Sequence, residues 1–336
     1  MPHGLRVVAA PDTHETRNRG AVTYSVVLDS GGGRYDGRMC GRFSLDAGVD
    51  ELIREFVADG GKAEDWRPSY SIAPTDHAPI VREFRGEDGD IHRELELGKW
   101  DFPKPENSPA RGPIFNARIE KLTGGFWAGA FARFRVLVPM NGYYEFTGER
   151  GSKQPHFIHA PKRTAAERQT RLDDINATAR RKHERQIAEG FLPPDTQFTP
   201  VTNINLEPPA DNDYRTLAAA GVYLPERVDE NTWRPRFVVI TREARDASGE
   251  IHDRMPAFVE PEYWDEWLNP ATLTPADRKA ETVAAARGRR DELLDMLNTS
   301  STAVAGTIQT YPVDKKASNT RKLDRADWTL IQPIPV

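Results

Sequence analysis

The stretch Arg135-Val136-Leu137-Val138-Pro139-Met140-Asn141-Gly142-Tyr143-Tyr144-Glu145-Phe146 decides the fold class. Two short apolar runs, Arg135–Pro139 and Tyr143–Phe146, flank a turn at Asn-Gly and read as strands. Side chains alternate along a strand, so Tyr143 and Glu145 share one face and Tyr144 and Phe146 the other. Similar runs occur at Ala78–Phe84, Arg93–Trp100, His156–His159, Ala218–Leu224, Phe237–Thr241, Thr307–Val313 and Trp328–Ile331. The Gly-Glu-Asp-Gly stretch at 86–89 reads as the hairpin loop between Ala78–Phe84 and Arg93–Trp100. Helical spacing of Val49, Leu52, Ile53 and Phe56 predicts a helix over Val49–Val57, with Asp46 as its cap. Pro261 opens a second helix through Leu268, and 275–297 reads as a third. Strands and helices intersperse without βα alternation, and no internal repeat is present. The expectation is an α+β fold with a mostly antiparallel sheet.

Working outward, residues 1–38 are rich in Gly, Arg, Asp and Thr. They contain one alternating run, Ala21–Leu28, and a Gly31-Gly32-Gly33 breaker. This part is expected to be a leader, disordered or not translated, before a single domain over 39–336. Residues 161–190 carry a charge-laced helical pattern and 191–214 are rich in Pro and Asn. Together, 161–214 read as an insertion into that domain.

Composition narrows the function. The 336 residues are 38% hydrophobic with 7 Trp and 14 Phe, enough to build a core. No apolar run approaches the ~20 residues of a membrane span, and no signal peptide is evident at Met1. The single cysteine excludes an intrachain disulfide and a cysteine-built zinc cage. The expectation is a cytoplasmic monomer with no cofactor, no metal and no membrane partner. A formal net charge of −5 argues against coating nucleic acid by bulk charge. Two basic islands stand out all the same. Lys99–Arg135 holds seven Lys/Arg against three acids, and Lys315–Arg325 five against one. Such islands suit a phosphate-binding face.

Four residues could carry chemistry. Cys40 follows Met39, itself a possible initiator whose removal would leave Cys40 first in the chain. An α-amine with a pKa near ~7.7–8.0 beside a thiol then offers two nucleophiles at five-membered-ring distance. That pair suits attack on an aldehyde: imine first, then thiol addition to close a thiazolidine. Glu145, flanked by aromatic residues, suits a general acid with a raised pKa. His252, in Ile251-His252-Asp253-Arg254-Met255-Pro256, can move protons near neutral pH. In Asn116-Ala117-Arg118-Ile119-Glu120, Arg118 can hold a phosphate. Each residue also has an ordinary structural reading: a buried thiol, an exposed strand carboxylate, a surface histidine, a capped turn. No phosphate-cradling Gly loop, paired-histidine metal motif or nucleophile elbow is present.

In order along the chain, these motifs resemble the SRAP family, the SOS-response-associated peptidases or abasic-site processing proteins. The resemblance rests on Met39-Cys40-Gly41-Arg42-Phe43, Tyr70-Ser71-Ile72-Ala73-Pro74, Asn116-Ala117-Arg118-Ile119-Glu120, Val138–Phe146, Lys153–Phe157, Ala220–Tyr223 and Ile251–Pro256. It runs from Met39 to about residue 334. It implies a barrel-like sheet flanked by helices, and covalent capture of abasic sites in single-stranded DNA. In that reading Cys40 is the nucleophile and Glu145 shuttles protons. Asn116 orients the Cys40 amine and thiol, and His252 assists ring opening and reversal. Arg42 and Arg118 bind backbone phosphates, and Trp100 stacks or wedges against bases. Asp101 and Phe146 depart from the family's usual Gly and Trp. Two competing readings are a cysteine-dependent peptidase that cleaves before Cys40, and a non-catalytic single-strand binder.

An amide nitrogen is delocalised and cannot form an imine, so the mechanism demands a free amine on Cys40. The functional protein is therefore expected to begin at Cys40, through initiation at Met39 or cleavage after it. Intact mass and N-terminal sequencing of the native protein check this. A mature chain that keeps Met1 and still crosslinks abasic DNA at full rate overturns it.

Overall fold

The computed structural model describes residues 41–104, 112–149, 152–164, 192–200, 214–230, 232–318 and 323–335, with scattered positions in 166–188 that are all helical. The chain divides after Gly37, and every element below belongs to Arg38–Val336. The expected strand Ala21–Leu28, the leader, Cys40 and most of the Pro/Asn-rich stretch lie outside the described residues.

Strands dominate, as the alternation predicts. They are β1 Phe43–Leu45, β2 Gly61–Lys62, β3 Ser69–Ile72, β4 His77–Arg85, β5 Ile91–Lys99, β6 Asn116–Arg118, β7 Arg135–Met140, β8 Gly142–Thr147, β9 Gln154–His159, β10 Leu217–Arg227, β11 Trp233–Glu243, β12 Arg254–Pro256 and β13 Gln309–Pro312. The helices are α1 Val49–Glu55, α2 Ala128–Arg133, α3 Asp246–Gly249, α4 Trp264–Leu268 and α5 Ala280–Ala305.

Two sheets form. In the larger, neighbours run β12-β11-β10-β7-β4-β5-β2, and a further pairing of β11 with β5 closes β11, β10, β7, β4 and β5 into a five-stranded barrel. The closing pair is parallel, with Arg236 opposite Lys99, and the other barrel pairs are antiparallel. Closure removes the free edges that an open sheet presents. Both faces of the barrel wall are covered: Ile80, Val136, Val138 and Phe237 lie on one face and Val81, Leu95 and Val222 on the other, all fully buried. Between β4 and β5 the expected hairpin loop is present, with Gly89 at φ +92° where a side chain would be strained.

The smaller sheet has the order β13-β9-β8-β1-β3. Its central strand β8 is covered on both faces. Tyr143 packs into the large core beside Phe258, with ring centroids 6.1 Å apart. Tyr144 joins a second cluster with Phe157, Tyr214, Val313, Leu330 and Ile331. Helix α4 is pinned to the barrel by Trp267, whose indole donates to the Val136 carbonyl at 2.8 Å. From α5, the buried hydroxyls of Ser300 and Ser301 accept the Glu260 and Phe258 backbone N–H groups at 2.7 and 3.1 Å.

Two local expectations are corrected. Trp328–Ile331 is a 3-10 turn rather than a strand, because the Asp327 carboxylate accepts from the Thr329 N–H at 3.0 Å and starts a helical turn. Asp46 does not cap α1: the cap position is Gly48, with no side-chain bond. Asp46 instead meets Asn141, whose Oδ1 accepts the Asp46 N–H at 2.6 Å. Burial and then Glu51 push the Asp46 carboxyl up to about 7, against the hydrogen bond from Asn141.

An aspartate whose folded pKa is raised favours the folded state fully only below its unfolded pKa, and that contribution is lost as pH rises through the folded value. For Asp46 the window is roughly pH 4–7. Asp46→Asn should therefore raise the thermal midpoint at pH 8 by roughly 5 °C, and the gain should shrink steadily toward pH 4. Melting curves of both proteins across pH 4–8 check this, and a gain independent of pH contradicts it.

Candidate active site

The site is assembled by the pairing of β1 with β8. Phe43 faces Tyr143 and Ser44 faces Gly142, and the Tyr144 N–H donates to the Arg42 carbonyl at 2.9 Å. Continued one step, this antiparallel register sets Gly41 opposite Glu145. Gly41 also lies against Phe115: a methyl group on it would touch that ring at 3.9 Å. Phe115 is bonded to Asn116, the first residue of β6. The residue linked to Cys40 thus lies across from Glu145 by the continued register and against the ring of Phe115, the neighbour of Asn116.

Glu145 is 2% exposed, so a sequence that reads equally as an exposed strand carboxylate resolves to a buried one. Across β8–β9 it faces His156, whose pKa burial holds below the usual histidine range. Asn116 is half-buried and pairs in parallel with Val239. Arg118, two residues on, faces Thr241 and points out as an exposed cation.

His252 precedes β12, on the other edge of β11 from β6. Its ring is 16% exposed, and Nδ1 lies 3.0 Å from both the Arg254 N–H and the Asp253 carboxylate. One nitrogen cannot accept from the first and donate to the second. Asp253 is 83% exposed and screened by water, so the backbone bond governs, which places the proton of the neutral ring on Nε2. Arg254 ties the two motifs together. It donates to both Glu120 oxygens at 2.6 and 3.1 Å and to the Thr241 carbonyl at 2.5 Å. This bond holds the Glu120 carboxyl below the usual carboxylate range. Sequence reading quotes Glu120 and Arg254 without giving them a task, although opposite charges in two motifs of one site are a usable signal.

Arg42 is 7% exposed, with its guanidinium carbon 5.9 and 5.6 Å from the centres of the Tyr144 and Phe146 rings. Burial pulls its pKa below the usual arginine range. Tyr144 opposes that shift and Arg325 adds to it.

Trp100 is where the structure departs from expectation. It is 1% exposed, edge-on to Phe43 at 4.9 Å and to Phe115 at 5.7 Å, and stacked on Phe237. Its indole donates to the Phe115 carbonyl at 2.8 Å. No ring face is open to a base; Trp100 instead supports Phe43 and Phe115 from behind. Asp101, which departs from the family's usual Gly, accepts from Arg236 at 2.9 Å. Among the described residues, the group able to hold a metal is Asp88, Asp90 and His92 at the β4–β5 hairpin, and it includes none of the site residues.

Comparison with known proteins identifies the family. A family model described as SOS response associated peptidase (SRAP) matches residues 39–302. The chain belongs to this family. It is 23% identical over 262 residues to the abasic site processing protein HMCES of Xenopus tropicalis, covering 69% of this chain and 66% of that protein. The chain thus spans just under two thirds of that relative's length. It is 22% identical over 302 residues to the abasic site processing protein YedK of Escherichia coli, covering 88% of this chain and all of YedK. A crystal structure of a Bacteroides thetaiotaomicron protein has the same fold, with a TM-score of 0.51 at 15% identity over 88% of this chain and all of that one.

Trp100→Phe should act through stability. It removes a buried hydrogen bond and part of a packed ring, at a cost of about 1–3 kcal/mol. Chemical denaturation checks the loss. An unchanged midpoint contradicts the structural role.

Proposed function

We propose that this protein processes abasic sites in single-stranded DNA by covalent capture through Cys40. The observation that supports it best is the placement of Gly41: opposite the buried Glu145 by register and against Phe115, the neighbour of Asn116, by contact. The names of the relatives, abasic site processing proteins, point the same way.

A ring-opened abasic sugar carries an aldehyde. The Cys40 amine adds to its carbon, and the carbinolamine hydroxyl leaves as water with a proton supplied by Glu145. Loss of that water leaves an iminium; the thiol sulfur then adds to its carbon, the thiol proton passes back to Glu145, and the ring nitrogen is left neutral with the one hydrogen it kept. The products are a thiazolidine and one water, so atoms and charge balance. Glu145 gives and takes a proton in turn, which suits a carboxyl removed from bulk water. Asn116, an amide with both donor and acceptor atoms, orients the amine and thiol. His252 assists opening of the sugar ring and reversal of the link. Arg42 and Arg118 bind phosphates of the strand, a role that needs no base identity. The family name supports a second reading, in which Cys40 acts in a peptidase step that removes the residues before it.

Cys40→Ala should abolish the covalent band formed with an abasic oligonucleotide, and Cys40→Ser should trap at most a weak imine. Glu145→Gln should slow crosslinking by ~10²–10⁴-fold at neutral pH. A denaturing gel with abasic and intact oligonucleotides reads both. An undiminished band in Cys40→Ala overturns the chemistry, and a wild-type rate in Glu145→Gln across pH 6–8 overturns the carboxyl's role. Cys40-dependent loss of the N-terminal residues without any DNA band favours the peptidase.

A further inference from the structure

We propose that the cleft between the end of β11 and helix α5 binds a free basic amino acid, with its carboxylate on Arg242 and its two cationic groups on Asp291 and Asp295. This site lies outside the DNA chemistry above and does not rest on it.

The cleft has a volume of about 430 Å³, within the usual range for a small-molecule site. Its two walls carry opposite charge. Arg242 and Arg245 come from the end of β11 and the turn after it, and Asp291 and Asp295 come from α5. Two further carboxylates line the cleft and are already engaged. Glu120 accepts two bonds from Arg254, and Glu243 lies 4.0 Å from Arg245. Among the described residues, no ion pair joins either arginine of one wall to either aspartate of the other. The opposite charges share one cleft without meeting.

Arg242 is the buried member of the set, at 6% exposed. Its Nη1 donates to the Asn298 carbonyl at 2.7 Å and to Thr302 Oγ1 at 2.8 Å, both on α5. Those bonds fix the guanidinium and come from neutral groups. Its Nε is buried with no hydrogen-bond partner. A buried cation held by neutral acceptors alone has lost hydration that nothing repays in full. The unfilled Nε side of the group suits a carboxylate, which accepts from an arginine through two parallel bonds.

Charge then selects the ligand. With Glu120 answered by Arg254 and Glu243 by Arg245, the remainder is one cation, Arg242, and two anions, Asp291 and Asp295. The complement is a molecule with one carboxylate and two cations, as in lysine or arginine. Asp291 and Asp295 stand one helical turn apart, roughly 5–6 Å between Cβ atoms, a gap that an α-ammonium and a side-chain cation can span. Ile119 and the half-buried Leu294 add apolar lining for the methylene stem between those charges. A nucleic-acid strand is a poor occupant, because its phosphates would meet four carboxylates.

The test is titration calorimetry of the full chain with L-lysine and L-arginine. Each should bind at one site with a Kd on the order of 0.1–1 mM. L-lysine methyl ester, which lacks the carboxylate, and L-norleucine, which lacks the side-chain cation, should bind about 10-fold more weakly or worse. Nα-acetyl-lysine carries the carboxylate and side chain of a peptide C-terminus. Its weaker binding supports a free amino acid, and binding equal to lysine overturns that assignment. Asp291→Asn with Asp295→Asn changes two exposed side chains and should weaken lysine binding about 10-fold. Arg242→Lys, which keeps the charge without the fork, should weaken it about 3–10-fold; the aspartate variant decides if this one does not fold. Glu281→Gln, an exposed charge at the start of α5, should match wild type. The site is overturned if wild type gives no saturable heat with either amino acid. It is equally overturned by an unchanged affinity in the aspartate variant or for the methyl ester. None of these outcomes bears on covalent capture through Cys40.

Discussion

A strand with no free face is the constraint on which this structure turns. β8 has Tyr143 in one core and Tyr144 in another, and either ring would be misplaced by a shift of one residue. Gly142 locks the register further: a methyl group there would come within 2.5 Å of the Ile158 carbonyl on β9. With both faces and both edges taken, the strand behaves as a rigid rail. The depth of Glu145 follows from its place on that rail and needs no separate device. So does the position of Gly41, which the pairing of β1 carries to the same level.

β11 plays the matching part in the larger sheet. One edge meets β10 and then β12, and the other meets β5 and then β6. Thr241 consequently has Arg118 on one side and Pro256 on the other. The Arg254–Glu120 pair bridges the two flanks, and only Arg254 is well removed from water. Pairs of this kind contribute modestly to stability and mainly set geometry. The practical result is that the element bearing Asn116 and the loop bearing His252 are referenced to one strand.

Much of this was legible in the residues. The barrel strands β4, β5, β7, β10 and β11 each carry an alternating or continuous apolar run, and their existence follows from period alone. Strands β1, β2, β3 and β6 do not, because two to four residues cannot display a period and they form by pairing with partners distant in sequence. The site residues Glu145, Asn116 and His252 stand out through their neighbours and through family resemblance. Their burial does not, since Glu145 reads equally well as exposed until the packing on both faces of β8 is known. Trp100 shows the reverse case. A tryptophan in a basic stretch looks like a stacking platform, and only the positions of Phe43, Phe115 and Phe237 reveal a core residue.

The two ends of the 161–214 stretch meet at a single bridge between Lys162 and Tyr214. Arg163 donates to the Tyr214 carbonyl at 2.6 Å, and Thr216 and Arg163 both reach Glu55 on α1. The stretch therefore begins and ends at one doorway. The entropy of closing such a loop rises only about 0.6 kcal/mol for each doubling of its length, so the chain between the two ends can lengthen at little cost. In engineering terms the doorway is a socket: a sensor domain or an affinity tag with closely spaced ends can be spliced there, leaving strands β1, β8 and β11 in their original order.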